Sequence, residues 1–328
     1  MLMRPKTFLV VLTLTLVSAW ADDLPTFDDF RRIDRTRRLT GQMQTAELLA
    51  VNQINTELIL GVVRQNTNDA QFAWGAAEMV TRWPDKRTLF ETALQLTTNN
   101  IAIANRFACA AAQQGEYDLA LKWAWFCEEK DSDNTMPWLV ELWVLGARKQ
   151  PQEFTGKEPL WATVFRDYSV EATLARIRLL ERVGYSPYAA RRLGFKPDSE
   201  ALIIARELIR PPLAEATQRL LKESATYLQF RRPFLLSELV GQTIEHAVLM
   251  RRPNAEKSME VRVRFNEMDE RREELKQLYG ALEHNTVDFA TEKQMVEYFN
   301  DVLALGEEDA MKKLAVTVQQ LAPPTRGH

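Results

Sequence analysis

The chain has 328 residues, enough for a large buried core, and carries 42 Lys and Arg against 45 Asp and Glu. That near balance argues against a general nucleic-acid binder, which is usually distinctly basic. Alternating β-branched runs with hairpin turns do not occur, and 12 glycines are few for this length; the pattern predicts an all-α protein.

Residues 1–21 read as a secretory leader. Arg4 and Lys6 supply a short positive region, Phe8 to Val17 an apolar core, and Ser18-Ala19-Trp20-Ala21 a small-x-small cleavage site. The apolar run is about ten residues, short of the ~20 that a membrane-spanning helix needs. The expectation is export to a periplasm or to the outside, cleavage after Ala21, and no membrane span thereafter. Between Pro25 and Arg38, Arg31, Arg32, Arg35, Arg37 and Arg38 alternate with Asp28, Asp29 and Asp34, which reads as a solvated, salt-bridged surface.

Helical spacing then begins. Leu48, Leu49, Val51, Ile54, Leu58, Ile59 and Val62 mark a helix over Gln44 to Gln65, and another starts over Ala70 to Trp83. Pro84-Asp85 reads as a turn, with a partner helix from Arg87 to Thr97 closed by Thr98-Asn99-Asn100. Residues 101–134 form the clearest unit. Ala102, Ala104, Ala108, Ala111 and Ala112 lead to Gln113-Gln114-Gly115, and Glu116-Tyr117 opens a second helix through Ala120, Leu121, Trp123, Phe126 and Cys127. Asp131-Ser132-Asp133-Asn134 closes it. Small residues on both helices allow close approach, and a Gly-containing turn folds them back antiparallel. Such a hairpin cannot bury both faces alone, so neighbours must stack on it.

The small residues, the Gly-x-Tyr turn, the closing Asp/Asn and a length of about 34 residues resemble a tetratricopeptide repeat, without the proline expected near Ser132. Residues 67–100 look like a degenerate copy. The resemblance implies an α-solenoid of antiparallel hairpins over 22–150. It also implies a peptide ligand on the inner surface of the first helix, which here includes Asn105, Cys109 and Gln113. Arg106 beside them would meet a carboxylate.

Pro137 fits the first turn of a further helix bearing Trp138, Leu139, Leu142, Trp143 and Leu145. Pro151, Gly156 and Pro159 then mark a long loop and a boundary with a second region, 151–322. That region reads as helices over Tyr168–Val183, Ser199–Ile209, Leu213–Phe230, Pro233–Met250, Met259–Glu283, Thr291–Leu305 and Glu308–Leu321. Ser186-Pro187 and Gly194 bound a short helix whose Tyr188, Arg191 and Arg192 read as a packed connector rather than a ligand clamp. The helix from Met259 carries a seam of Val261, Phe265, Met268, Leu275, Tyr279 and Leu282, with Arg272 in its one gap. Residues 323–328 read as a disordered tail.

Chemistry finds little support. His246, His284 and His328 fit no metal motif, and there is no phosphate loop or nucleophile elbow, so no cofactor, metal or catalytic residue is expected. Glu128, Glu141, Glu181 and Glu245 lie inside helices and none stands apart from the rest. Trp123 and Trp125 cannot share a helix face, so one of them must point outward or into a neighbouring unit. Export permits a Cys109–Cys127 disulfide. Their heights in the hairpin differ by ~7–8 Å, which favours two buried packing thiols. The sequence thus points to a non-enzymatic scaffold that binds a protein or peptide partner in the cell envelope. The alternatives are a glycan-active enzyme using a helix-borne glutamate, or a homo-oligomeric structural protein joined through the helix around Arg271 to Leu282.

Overall fold

A computed structural model describes residues 24–40, 54–98, 100–149, 162–166, 168–195, 200–208, 215–230, 234–251 and 255–319. The leader and its cleavage site, the start of the helix expected from Gln44, the loop around Pro151 to Pro159, and the tail lie outside the described residues. Within them the protein is all-α, with fifteen α-helices and no strand; a lone parallel bridge joins Asn134 and Val164.

The helices are α1 Phe27–Thr40, α2 Thr56–Gln65, α3 Ala70–Met79, α4 Trp83–Leu96, α5 Ile101–Gln113, α6 Tyr117–Lys130, α7 Thr135–Ala147 and α8 Ser169–Val183. They continue with α9 Pro187–Gly194, α10 Glu200–Leu208, α11 Glu215–Phe230, α12 Leu235–Leu249, α13 Met259–Phe289, α14 Glu292–Leu305 and α15 Glu307–Gln319. Polar punctuation sets these boundaries. Asn55, Asp69, Asn100 and Asn134 each accept backbone N–H bonds at the start of the next helix, so Asn100 and Asn134, read as closing a unit, also cap the following one. Pro84 does not separate two helices: it sits in the first turn of α4, where its missing N–H costs nothing, and the turn is Val80 to Arg82. Gly115, at φ +77°, ends α5. Glu116 N–H bonds the Ala111 carbonyl at 3.0 Å and Gly115 N–H the Ala112 carbonyl at 3.1 Å, which satisfies the carbonyls left over at the helix end.

The hairpin α5–α6 lies between two cores. Ile103, Ala104, Phe107, Ala110 and Cys127 join one, with α3, α4, α8 and α9. Ala108, Cys109, Ala111, Ala112, Ala120, Leu121 and Ala124 join the other, with α7, α10, α11 and α12. The chain does not continue as a simple row after α7. Residues 162–166 are tied to the Asp131–Asn134 turn, where Arg166 donates to Asp131 at 2.6 Å and to Asp133 at 2.7 Å. From there α8 runs back to pack on α3. A β-carbon on Gly75 would lie 2.5 Å from the Ala175 carbonyl oxygen, so only glycine permits this approach.

Neighbour follows neighbour in a closed circuit: α3, α4, α5, α6, α7, α11, α12, α13, α15, α14, α9, α8 and α3 again. A third core, built from α12 to α15 around Tyr298, Val302, Met311 and Leu314, closes the far side.

One buried charge cluster binds the first core. Glu78 of α3 accepts from Arg106 of α5 at 2.9 and 2.6 Å and from Trp74 Nε1 at 3.1 Å, with Arg176 of α8 at 3.7 Å. Burial alone would push the Glu78 carboxyl up. The Arg106 charge and hydrogen bonds, helped by Arg176, reverse this and hold it below the usual carboxylate range. Its contribution to stability is therefore present above the unfolded-state value of 4.5 and is lost as pH falls below it. Glu78→Ala, which leaves two guanidiniums without their counter-charge, is expected to cost about 3–5 kcal/mol in urea unfolding. Gly75→Ala is expected to cost roughly 1–3 kcal/mol by forcing α8 off α3; a change within error for either would refute the packing described.

Candidate functional site

A cleft of about 400 Å³ opens where α11, α12 and the start of α13 meet. Its position follows from local chemistry. Gly241 lets α12 lie against α11, since a β-carbon there would be 2.7 Å from the Ala225 carbonyl oxygen. Past Leu249 the chain turns through a short 3-10 segment, Ala255–Lys257. Ser258 then starts α13, its Oγ accepting from Val261 N–H at 3.4 Å. Val248 and Leu249 are buried at the floor, and Val261 and Met268 of α13 pack with Leu249. Met259 and Val263, one turn apart on α13, form an apolar wall and are 73% and 45% exposed.

The opposite edge is polar and ordered. Arg264 donates to Glu245 at 2.9 and 3.0 Å, to Gln229 Oε1 at 2.9 Å and to Glu267 at 2.9 Å; Gln229 in turn donates to Glu245 at 2.7 Å. Burial would raise the Glu245 carboxyl, but the bonds from Arg264 and Gln229 outweigh it and hold the group below its ordinary value. Glu245 is thus an ionised anchor rather than a proton donor. Lys222 also lines the cleft and is exposed, with no hydrogen bond or ion pair to its ammonium among the described residues. The arrangement offers an apolar floor, a fixed polar edge and one exposed cation, Lys222, whose charge also helps hold Glu245 ionised.

The surface expected from the repeat resemblance is elsewhere, and most of it is not a surface. Asn105 and Arg106 are 1% and 2% exposed and Cys109 is fully buried, while Gln113 at the end of α5 is exposed. Arg106 is committed to Glu78 and Asn105 Oδ1 faces Cys109 Sγ at 4.0 Å. Three of these four residues therefore lie inside the packing: Arg106 meets α3 and α8 through Glu78 and Arg176, and Cys109 sits in the core shared with α7, α10, α11 and α12. Cys109 and Cys127 are buried in different cores and are not joined in a disulfide. Tyr188 is buried and Arg191 and Arg192 reach Glu181 and Asp34, as a packed connector requires.

Of the four glutamates read from the sequence, Glu181 is paired with Arg191 and Glu245 with Arg264, but Glu128 and Glu141 come together between α6 and α7. Trp125 is 44% exposed and bonds Glu141, whereas Trp123 packs among Phe107 and Phe126. His246 stacks on Phe265 at 4.2 Å beside the cleft. Among the described residues no three His, Cys, Asp or Glu side chains are grouped to hold a metal ion, and no helix is long and apolar enough to cross a membrane. No protein-family model, curated protein or solved structure matches the chain.

Arg264 is the residue on which the ordered edge depends. Arg264→Ala is expected to lose about 1.5–3 kcal/mol of stability, the range for hydrogen bonds to a charged group. Amide exchange over residues 259–267 is expected to accelerate; unchanged protection there would show that the start of α13 is held by apolar contacts alone.

Proposed function

We propose that the chain is a non-enzymatic helical scaffold of the cell envelope that holds a short peptide segment of a partner protein in the cleft between α12 and α13. The observation that carries this reading is the cleft itself. A volume of about 400 Å³ accepts a few side chains and falls within the range of natural ligand sites. Its open side leaves room for the rest of a segment to run past.

The chemistry favours a segment with apolar side chains and a nearby carboxylate. The apolar groups would cover Met259 and Val263, and the carboxylate would pair with Lys222. Arg264, already bound to Glu245, Gln229 and Glu267, would shape the edge. Export to the envelope rests on the leader pattern in residues 1–21.

The glycan-cleaving alternative is less well supported. Glu245 at the cleft is held ionised. Glu128, pushed up to about 8, stands beside a Glu141 that is 1% exposed and so out of reach of a polymer.

The test is selection of short random peptides displayed on phage against the mature chain, followed by binding measurements with the recovered peptides. Recovered peptides are expected to be apolar with an Asp, a Glu or a free carboxyl terminus. They are expected to bind Val263→Arg at least tenfold more weakly, and Lys222→Glu several-fold more weakly with a reduced salt dependence. Equal affinity for the wild-type chain and Val263→Arg would remove the cleft as the site. Recovery of no peptide would count against the scaffold reading as a whole.

A further inference from the structure

Glu128 and Glu141 stand on neighbouring helices with their carboxyls in the same interface. Trp125 lies one turn before Glu128 on α6, and its indole Nε1 donates to Glu141 Oε1 of α7 at 3.0 Å. Residues three apart share a helix face, so Glu128 is turned toward α7 as well. Its Oε1 is closed off from solvent and accepts no hydrogen bond among the described residues. An ionised oxygen in that position has lost its water and received no donor in return, which is costly, and a second carboxylate beside it adds repulsion.

We propose that Glu128 keeps its proton at neutral pH, and that its loss in mildly alkaline solution loosens the α6–α7 interface. On α6 itself Lys122 lies over the Trp123 ring and Lys130 bonds Glu129, and the charged groups of neighbouring segments are paired elsewhere. From α5, Arg106 is bound to Glu78. From α7, Arg148 is paired with Asp118 at the start of α6. Past the end of α6, Asp131 is held by Arg166 and by the Tyr168 hydroxyl. Cys127, next to Glu128 on α6, gives its thiol to the Ile101 carbonyl at 3.8 Å. Among the described residues no cation is left to neutralise Glu128, and burial followed by the Glu141 charge pushes it up to about 8.

The sign follows from linkage. The folded-state value lies above the unfolded 4.5, so the stability tied to this proton is full below 4.5, declines as pH rises, and levels off above about 8. The arrangement is a switch read by the folded chain itself, independent of what the α12–α13 cleft binds.

The experiment is a titration of the full mature chain labelled with ¹³C at the glutamate carboxyls, read by NMR, for the wild type, Glu128→Gln and Glu141→Gln. One wild-type resonance, missing in Glu128→Gln, is expected to titrate near 8, and to move down toward the ordinary range in Glu141→Gln. The wild-type melting midpoint is expected to fall by roughly 3–8 °C more than that of Glu128→Gln between about pH 6 and pH 9. Finding no wild-type glutamate that titrates above the ordinary range would overturn the proposal, and that measurement stands even if a variant fails to fold. A high Glu128 midpoint unmoved by Glu141→Gln would overturn the part assigned to the Glu141 charge.

Discussion

Glu78 carries a carboxylate into the packed interior between α3, α5 and α8, and the neighbouring residues are arranged to keep it ionised there. Arg106 grips it with two nitrogens, Trp74 adds an indole donor, and Arg176 stands behind as a second cation. Arg176 then turns its remaining donors to the Gly194 carbonyl at 2.8 Å and to Thr173 at 2.8 Å, so α9 is held by the same cluster. Each of these helices is thereby fixed in rotation as well as in position. An apolar contact would tolerate small slips, whereas a bidentate guanidinium–carboxylate pair does not. The close approach at Gly75 depends on that register, because it leaves no room for α8 to slide over α3.

From this cluster the packing spreads outward. α9 presents Tyr188 to Phe27 and Phe30 of α1 and to Phe299 of α14, an aromatic group that joins the start of the chain to its last helices. Arg192 adds an ion pair to Asp34 of α1 at 2.7 and 2.8 Å. On the other side Arg271 of α13 reaches Glu238 of α12 and Glu308 of α15, which holds the third core to the second. The polar side chains that look like surface charge in the sequence are in large part the joints between helices.

Local structure was the more legible part. The small residues of α5 and α6, the turn at Gly115, the Ser186–Pro187 start of α9 and the seam of α13 all act through neighbours three or four positions away, and such patterns survive in a linear reading. Pro84 was misread because proline is compatible both with a turn and with a first helical turn; only the cap at Arg82 distinguishes them. The return of α8 onto α3 was not legible, nor was the second core formed with α7, α10, α11 and α12 that takes in Cys109. The cleft was hidden for a related reason. Lys222, Glu245 and Val263 belong to three helices and meet only through long-range packing. Glu128 and Glu141 were noticed singly, but nothing in a spacing of thirteen residues says that two helices will bring them face to face.

The closed circuit of helices sets this chain apart from a linear array in how it can change over time. A row of hairpins contacts only its immediate neighbours, so a unit can be duplicated or dropped and the ends simply move. Here α9 meets α14 and α13 meets α12 and α15, so a gain or loss of one hairpin would leave the two ends of the circuit out of reach of each other. Length variation in such a chain is confined to the connections between helices, and divergence has to proceed by substitution within a fixed number of parts.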